Sequence, residues 1–135
     1  MDFLVNIDVP ELAAGTHFYC ASFGLTPGRR FGADAIELLG GPAPIYLLVK
    51  AEGSSPSTLS GQTRTYARHW SPVHLDFVVS DIDAAVSRAL DAGARLEAPS
   101  TTAAWGKLAL MADPFGNGFC LVQFLGRGYE EIVQP

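Results

Sequence analysis

The chain has 135 residues, a formal net charge of −5 at pH 7, and a composition that is 48% hydrophobic and 17% charged. That length suits one domain with a core of its own, and the acidic balance weighs against nucleic-acid binding, which needs a basic stripe to displace phosphate counterions. Two cysteines, Cys20 and Cys120, stand far apart without zinc spacing, which argues against a disulfide framework and for a reducing, cytoplasmic setting.

The opening MDFLVNIDVPEL meets acidic residues and Pro10 too early for a secretory signal. No apolar run approaches a bilayer span, so no membrane partner is expected. Residues 3–9 alternate, with Phe3, Val5, Ile7 and Val9 on one face and Leu4, Asn6 and Asp8 on the other, the pattern of a half-buried strand. Pro10 ends it. A helix follows over 11–23, with Leu12, Thr16, Tyr19 and Phe23 as its predicted apolar stripe and Gly24 as its stop. Short strands are expected near 28–32, 35–39 and 44–50, so the first module reads β-α-β-β-β and covers about 1–50.

Residues 51–71 are rich in Gly, Ser, Thr and Pro and read as a linker, although Tyr66, His69 and Trp70 are less typical of one. Residues 73–79 alternate again, with His74, Asp76 and Val78 opposite Val73, Leu75, Phe77 and Val79. Asp81 offers a helix N-cap. The helix carries Ile82, Val86, Ala89 and Leu90 on one face and stops at Gly93. Strands near 94–98, 106–112 and 118–124 complete a second β-α-β-β-β over about 72–125, leaving a tail at 126–135.

The two modules superimpose as a repeat. Val9-Pro10-Glu11-Leu12 matches Val79-Ser80-Asp81-Ile82 at an offset of 70, and Tyr46 matches Cys120 at an offset of 74. Each helix must cover one sheet face. The other faces are mixed and are expected to line a small-molecule cleft. By parity its wall comprises Leu4, Asn6, Asp8, Tyr46, Leu48, His74, Asp76, Val78, Cys120 and Val122. Trp70 and Trp105 precede strands, where a planar ligand can stack on them or the core can absorb them. Arg29 and Arg30 are expected in solvent, within reach of an anionic ligand.

This tandem pattern resembles the vicinal oxygen chelate superfamily of glyoxalases, bleomycin-resistance proteins and extradiol dioxygenases. The first helix carries the resemblance from Val9-Pro-Glu11 through His17-Phe18-Tyr19 to Phe23-Gly24-Leu25. So do His74-Leu-Asp-Phe-Val-Val-Ser-Asp81 with Ala92-Gly93-Ala94, and the turn Asp113-Pro-Phe-Gly-Asn-Gly118. The resemblance implies an α+β fold of tandem βαβββ modules, with a curled mixed sheet around the cleft, helices outside, and a homodimer.

Metal-dependent members take ligands from four strand positions. Mapped one by one, these fall on Leu4, Tyr46, His74 and Cys120, and only His74 is a standard ligand there. The first shell is therefore short for iron, zinc or nickel, and no metal or other cofactor is expected; a shifted set through Asp76, Asp8 or Asn6 is the alternative. His74 is the best catalytic candidate, either as a proton-moving group or as one held by Asp76 or Tyr46. Cys120 reads as a nucleophile with His74 as its base, or as a small buried hydrophobe. The sequence thus points first to a protein that binds a small apolar or aromatic molecule in a metal-free cleft. Ligand contacts are expected from Asn6, Asp8, Tyr46, Leu48, Trp70, His74, Asp76, Trp105 and Cys120. A metal-dependent lyase, isomerase or dioxygenase and a non-catalytic dimerisation module are the alternatives.

Overall fold

The computed structural model describes residues 1–135 as two units, Met1–Ala67 and Arg68–Pro135. The first contains β1 (Val5–Val9), α1 (Leu12–Phe23), β2 (Thr26–Phe31), β3 (Ala35–Leu39) and β4 (Ile45–Val49). The second contains β5 (Leu75–Val78), α2 (Ile82–Asp91), β6 (Arg95–Leu96), β7 (Thr101–Ala103), β8 (Gly106–Ala112), β9 (Gly118–Phe124) and a 3₁₀ turn over Gly128–Glu131. The α+β class is as the sequence implied; module one has the β-α-β-β-β order, and module two has it with one further short strand, β7, between β6 and β8. Hydrogen bonding gives each module its own sheet: β1-β4-β3-β2 in the first, and β5-β9-β8-β6 with β7 on β8 in the second. No helix is long and apolar enough to cross a membrane.

The repeat is visible in strand register. In module one the parallel pair β1·β4 sets Val5 against Ile45 and Asn6 against Tyr46. In module two the parallel pair β5·β9 sets Leu75 against Phe119 and Asp76 against Cys120. The offsets of 70 on the first strand and 74 on the last are therefore structural equivalences as well as sequence ones.

Local chemistry explains where the helices begin and end. Both oxygens of Glu11 accept backbone N–H bonds, from Ala13 at 3.0 Å and Ala14 at 2.8 Å, and so cap α1. Gly24 ends the helix with φ 67°, a left-handed conformation that favours glycine. Asp81 caps α2 by accepting from Ala84 N at 3.0 Å. The Gln123 side chain on β9 accepts from Ile82 N at 2.9 Å and fixes the helix entrance to the sheet.

The stripe expected on α1 is rotated. Leu12, Gly15, Phe18, Tyr19 and Ser22 are buried, whereas Thr16 and Phe23 are only partly so. Gly15 sets the rotation: a Cβ there would lie 2.9 Å from Val9 Cγ1 and 3.1 Å from Leu47 Cδ1. The helix backbone thus rests directly on β1 and β4, and the large side chains fall to either side. On α2, Ile82, Ala85 and Ala89 form the buried face, and Leu90, expected there, is exposed. Core residues Val9, Ile36, Leu38, Ile45 and Leu47 lie under α1, and Ala109, Met111, Phe119 and Leu121 lie under α2.

The segment expected to link the modules is bound largely to the first. Gly53 N donates to Arg64 O and Arg64 N to Ser54 O, closing a loop, and the Tyr66 hydroxyl donates to Lys50 O at 2.7 Å. These bonds satisfy backbone groups that a free linker would leave to water. The tail also packs, through Tyr129 against Trp105 and Phe124 at centroid separations of 5.1 and 4.9 Å.

Candidate functional site

The expected site residues fall on both modules. Asn6, Asp8, Tyr46 and Leu48 lie in the first; Trp70, His74, Asp76, Trp105 and Cys120 lie in the second.

In module one, strand parity puts Glu37 and Tyr46 side by side on the sheet face away from α1. Glu37 is buried, the one charged residue in the apolar run Ala35–Leu39. Arg29 on the neighbouring strand meets it with a two-pronged grip: Nε donates to Oε2 at 3.0 Å and Nη2 to Oε1 at 2.7 Å. Tyr46 donates its hydroxyl proton to Glu37 Oε1 at 2.7 Å and accepts from Arg29 Nη2 at 3.0 Å. The Arg29 bonds, then the Tyr46 bond, hold the Glu37 carboxyl down at about 2, because each favours the ionised form. The same partnership raises Arg29. Its guanidinium also stands over the Phe31 ring, 5.7 Å from the centroid, and Phe31 lies 6.1 Å from Tyr46. This face is an aromatic platform with a fixed arginine.

Asp8 is likewise engaged. Arg64 Nε donates to Asp8 Oδ2 at 2.6 Å, and Arg64 Nη1 reaches Ser55 O at 2.8 Å and Ser54 Oγ at 3.2 Å. Tyr66 packs nearby, where burial, then the Asp8 charge, pushes its phenol up. Asn6 is exposed and Leu48 half-buried.

In module two, His74, Asp76 and Cys120 come together on the face away from α2, with one ligand atom of each lying within 4.8 Å of the others. His74 Nε2 is 3.2 Å from Asp76 Oδ1, so the imidazole has Asp76 as its partner, one of the two roles expected for it. Cys120 is buried beneath them. Burial, then the Asp76 carboxylate and its hydrogen bond, pushes the thiol up to about 11. A thiol held protonated in this way is a poor nucleophile. Beside the cluster, Arg68 Nε donates to Glu97 Oε1 at 2.5 Å, and Arg68 also donates to the His69 carbonyl. Trp70 is 82% exposed, whereas Trp105 sits among Phe124 and Tyr129. The motif around Asp113 is structural: its buried Oδ1 accepts from Phe115 N at 2.8 Å and Asn117 N at 2.9 Å, shaping the turn into β9.

The family's four metal positions fit poorly. Leu4 is hydrocarbon, and the Tyr46 hydroxyl is committed to Glu37 and Arg29. Module one therefore supplies no ligand from those positions, and donors gather only in module two. A separate groove on module one, lined by Glu11, Thr16, His17, Arg30, Ile36 and Val49, includes none of the expected site residues.

Sequence reasoning missed Glu37 and Arg64. The available signal was Glu37 itself, since a carboxylate inside an apolar strand needs a cation within reach. Arg64 gave no such signal, because its partner lies 56 residues away.

A family model described as a glyoxalase-like domain matches residues 4–122. The anthracycline biosynthesis protein DnrV of Streptomyces peucetius is 32% identical over 125 residues, covering 93% of this chain but only 42% of DnrV. Among solved structures, a glyoxalase/bleomycin resistance protein/dioxygenase family enzyme from Burkholderia phytofirmans PsJN superimposes with a TM-score of 0.69 at 23% identity, over 90% of this chain and 97% of that one. The fosfomycin resistance protein FosX from Listeria monocytogenes does so with 0.71 at 16%, over 97% and 96%. At these identities the structural likenesses establish the fold alone.

Proposed function

The chain belongs to the glyoxalase-like domain family, and from that premise we propose that it binds a small, planar aromatic molecule through side chains, with no bond from that molecule to a metal. The observation that carries this reading is the fate of Tyr46. At a family metal position, its hydroxyl is spent on Glu37 and Arg29, and its ring joins Phe31 in an aromatic surface. Such a surface offers stacking, and Arg29, already immobilised by Glu37, loses little further freedom on binding. The Arg29 side chain is 69% exposed even when paired with Glu37, so its guanidinium is available as a donor for a carbonyl or phenol oxygen.

The name of DnrV supports the same class of ligand, since anthracyclines are planar, oxygen-rich aromatic systems. This chain spans 42% of DnrV, so the likeness bears on a domain rather than on that whole protein.

A thermal-shift screen with hydroxyanthraquinones and other planar aromatics tests the reading. A binder at a hundred times its Kd raises stability by about 2.7 kcal/mol. Phe31→Ser and Arg29→Ala are each expected to weaken that binder at least about tenfold, the loss of about 1.4 kcal/mol of contact. No shift with any planar aromatic compound, or a binder indifferent to both substitutions, overturns it.

A further inference from the structure

We infer that module one carries a second ligand site, on the helix side of its sheet, for a small aliphatic carboxylate. It is the groove between the first two turns of α1 and the β2–β3 hairpin. The Phe31–Tyr46 platform lies on the opposite sheet face, so the site goes beyond the aromatic-ligand reading and does not depend on it.

The backbone opens the groove and aims a charge into it. Gly15 seats α1 against Val9 and Leu47, hence on β1 and β4. In the order β1-β4-β3-β2, strands β3 and β2 extend sideways beyond that contact. A space of about 610 Å³ opens there, within the size range of small-molecule sites. Arg30 and Ile36 are register partners, and Ile36 pairs with Leu47, so Arg30 projects to the helix side. Its neighbour Arg29 projects the other way, where Glu37 grips it.

The lining selects the ligand. Arg29, Arg64, Arg68 and Arg127 each meet a carboxylate, whereas Arg30 donates through Nε to the Gly32 carbonyl at 3.0 Å. That bond orients the guanidinium and leaves both Nη groups for a planar, two-oxygen acceptor. Glu11 borders the same groove, but both of its oxygens accept amides of α1, and its charge is matched by the helix end. His17 adds a nitrogen donor further along the helix, about 9 Å of axial rise from Glu11. One unpaired cation calls for one negative charge, a carboxylate rather than a phosphate dianion. The remaining wall is aliphatic, with Pro10, Leu12, Ile36 and Val49 and no Phe, Tyr or Trp. It therefore suits a saturated chain held by burial, not a planar system held by stacking.

Calorimetric titration of the full chain with sodium octanoate, below its micelle concentration, reads the site, and amide chemical shifts locate it. Saturable one-to-one binding is expected, with shifts centred on Ala13, Thr16, His17 and Ala33. Octanol, the same chain without the charge, should bind at least about tenfold more weakly, and Arg30→Gln should weaken octanoate by as much. Ala33→Glu sets a like charge at an exposed position of the lining and should also weaken octanoate. Arg88→Gln, exposed on α2, should change nothing. No saturable binding to a folded wild-type chain overturns the site. So do shifts centred on module two, octanol binding as tightly as octanoate, or binding indifferent to Arg30→Gln. Competition separates the two readings: a planar aromatic binder should leave octanoate affinity unchanged, and mutual displacement would put both ligands in one site and defeat the groove. A chain that binds octanoate but no aromatic compound defeats only the earlier proposal.

Discussion

At matching register positions, module one sets Asn6 against Tyr46 and module two sets Asp76 against Cys120. The backbones are equivalent, yet the polar groups behave differently. Module one closes its charges on itself: Glu37 on Arg29 and Tyr46, Asp8 on Arg64. Module two leaves an imidazole and a carboxylate at the surface above a thiol. One substitution explains much of this. A tyrosine reaches across to the neighbouring strand and hydrogen-bonds there, whereas a cysteine is too short and stays beneath its neighbours. A repeated fold therefore fixes where side chains project, and the residue placed at each position decides whether the face becomes scaffold or donor set.

The cores offer the sharpest test of backbone equivalence. Leu47 and Leu121 occupy equivalent positions at the offset of 74, and both are essentially fully buried. Leu47→Ala and Leu121→Ala should each cost about 2–5 kcal/mol in denaturant unfolding, from lost burial plus the cavity left behind. Similar losses and a single transition in both variants support equivalent cores. A second transition in one variant would show that the modules unfold separately.

Next in size is the helix contact. Gly15 and Ala85 match at the offset of 70, and both lie on the buried face of their helices. Module two accommodates the methyl group. In module one it would meet Val9 Cγ1 at 2.9 Å, and Val9 is stiff and fully buried. Gly15→Ala is therefore expected to destabilise by about 1 kcal/mol, overpacking outweighing the helix propensity it gains. A stabilised variant would mean that α1 can shift away from the sheet to make room for the methyl group.

The polar network comes third. Tyr46→Phe removes one hydrogen bond and should cost about 1 kcal/mol by chemical denaturation. The acid limb tests the Glu37 end. With its folded value at about 2, below the ordinary 4.5, the carboxylate contributes stability that is present above pH 4.5 and is lost as pH falls toward 2. Melting temperature measured across that window should fall less steeply in Glu37→Gln than in the wild type. Parallel slopes would place the acid sensitivity elsewhere, with Glu97 or Glu131, which arginines also hold low.

How much of this the sequence shows depends on range. The Asp81 cap, the Gly24 stop and the strands within 3–9 and 73–79 are local, and the structure bears them out over Val5–Val9 and Leu75–Val78, whereas Phe3 and Val73, expected on the apolar faces, lie before the strands and are exposed. Even the register follows from the repeat offsets, because two copies of one module reveal each other. The α1 stripe was misjudged because periodicity counts apolar side chains, and the residue that sets the contact, Gly15, has none. The short strand β7 escaped notice because Thr101–Ala103 lies wholly exposed, with no buried face to create a pattern. The three donors of module two were all named from parity, but their gathering in one cluster required the β5·β9 pairing. Arg29 with Glu37 and Arg64 with Asp8 were missed as pairs, since ion pairing between strands or across a loop leaves no periodic trace.

The smallest expected effect concerns the segment between the modules. Its composition suggests a flexible tether, yet Arg64 anchors it on Asp8 and Tyr66 on Lys50. The Asp8–Arg64 pair is partly exposed, at 35% and 18% for the two side chains, so Asp8→Asn should cost only about 0.2–1 kcal/mol globally. Its local effect should be larger, because Arg64 also holds Ser54 and Ser55 from the far side of the loop. Limited proteolysis between residues 54 and 63 should accelerate in Asp8→Asn while cleavage elsewhere stays constant. Unchanged cleavage would mean that the backbone bonds between Gly53, Ser54 and Arg64 hold the loop unaided.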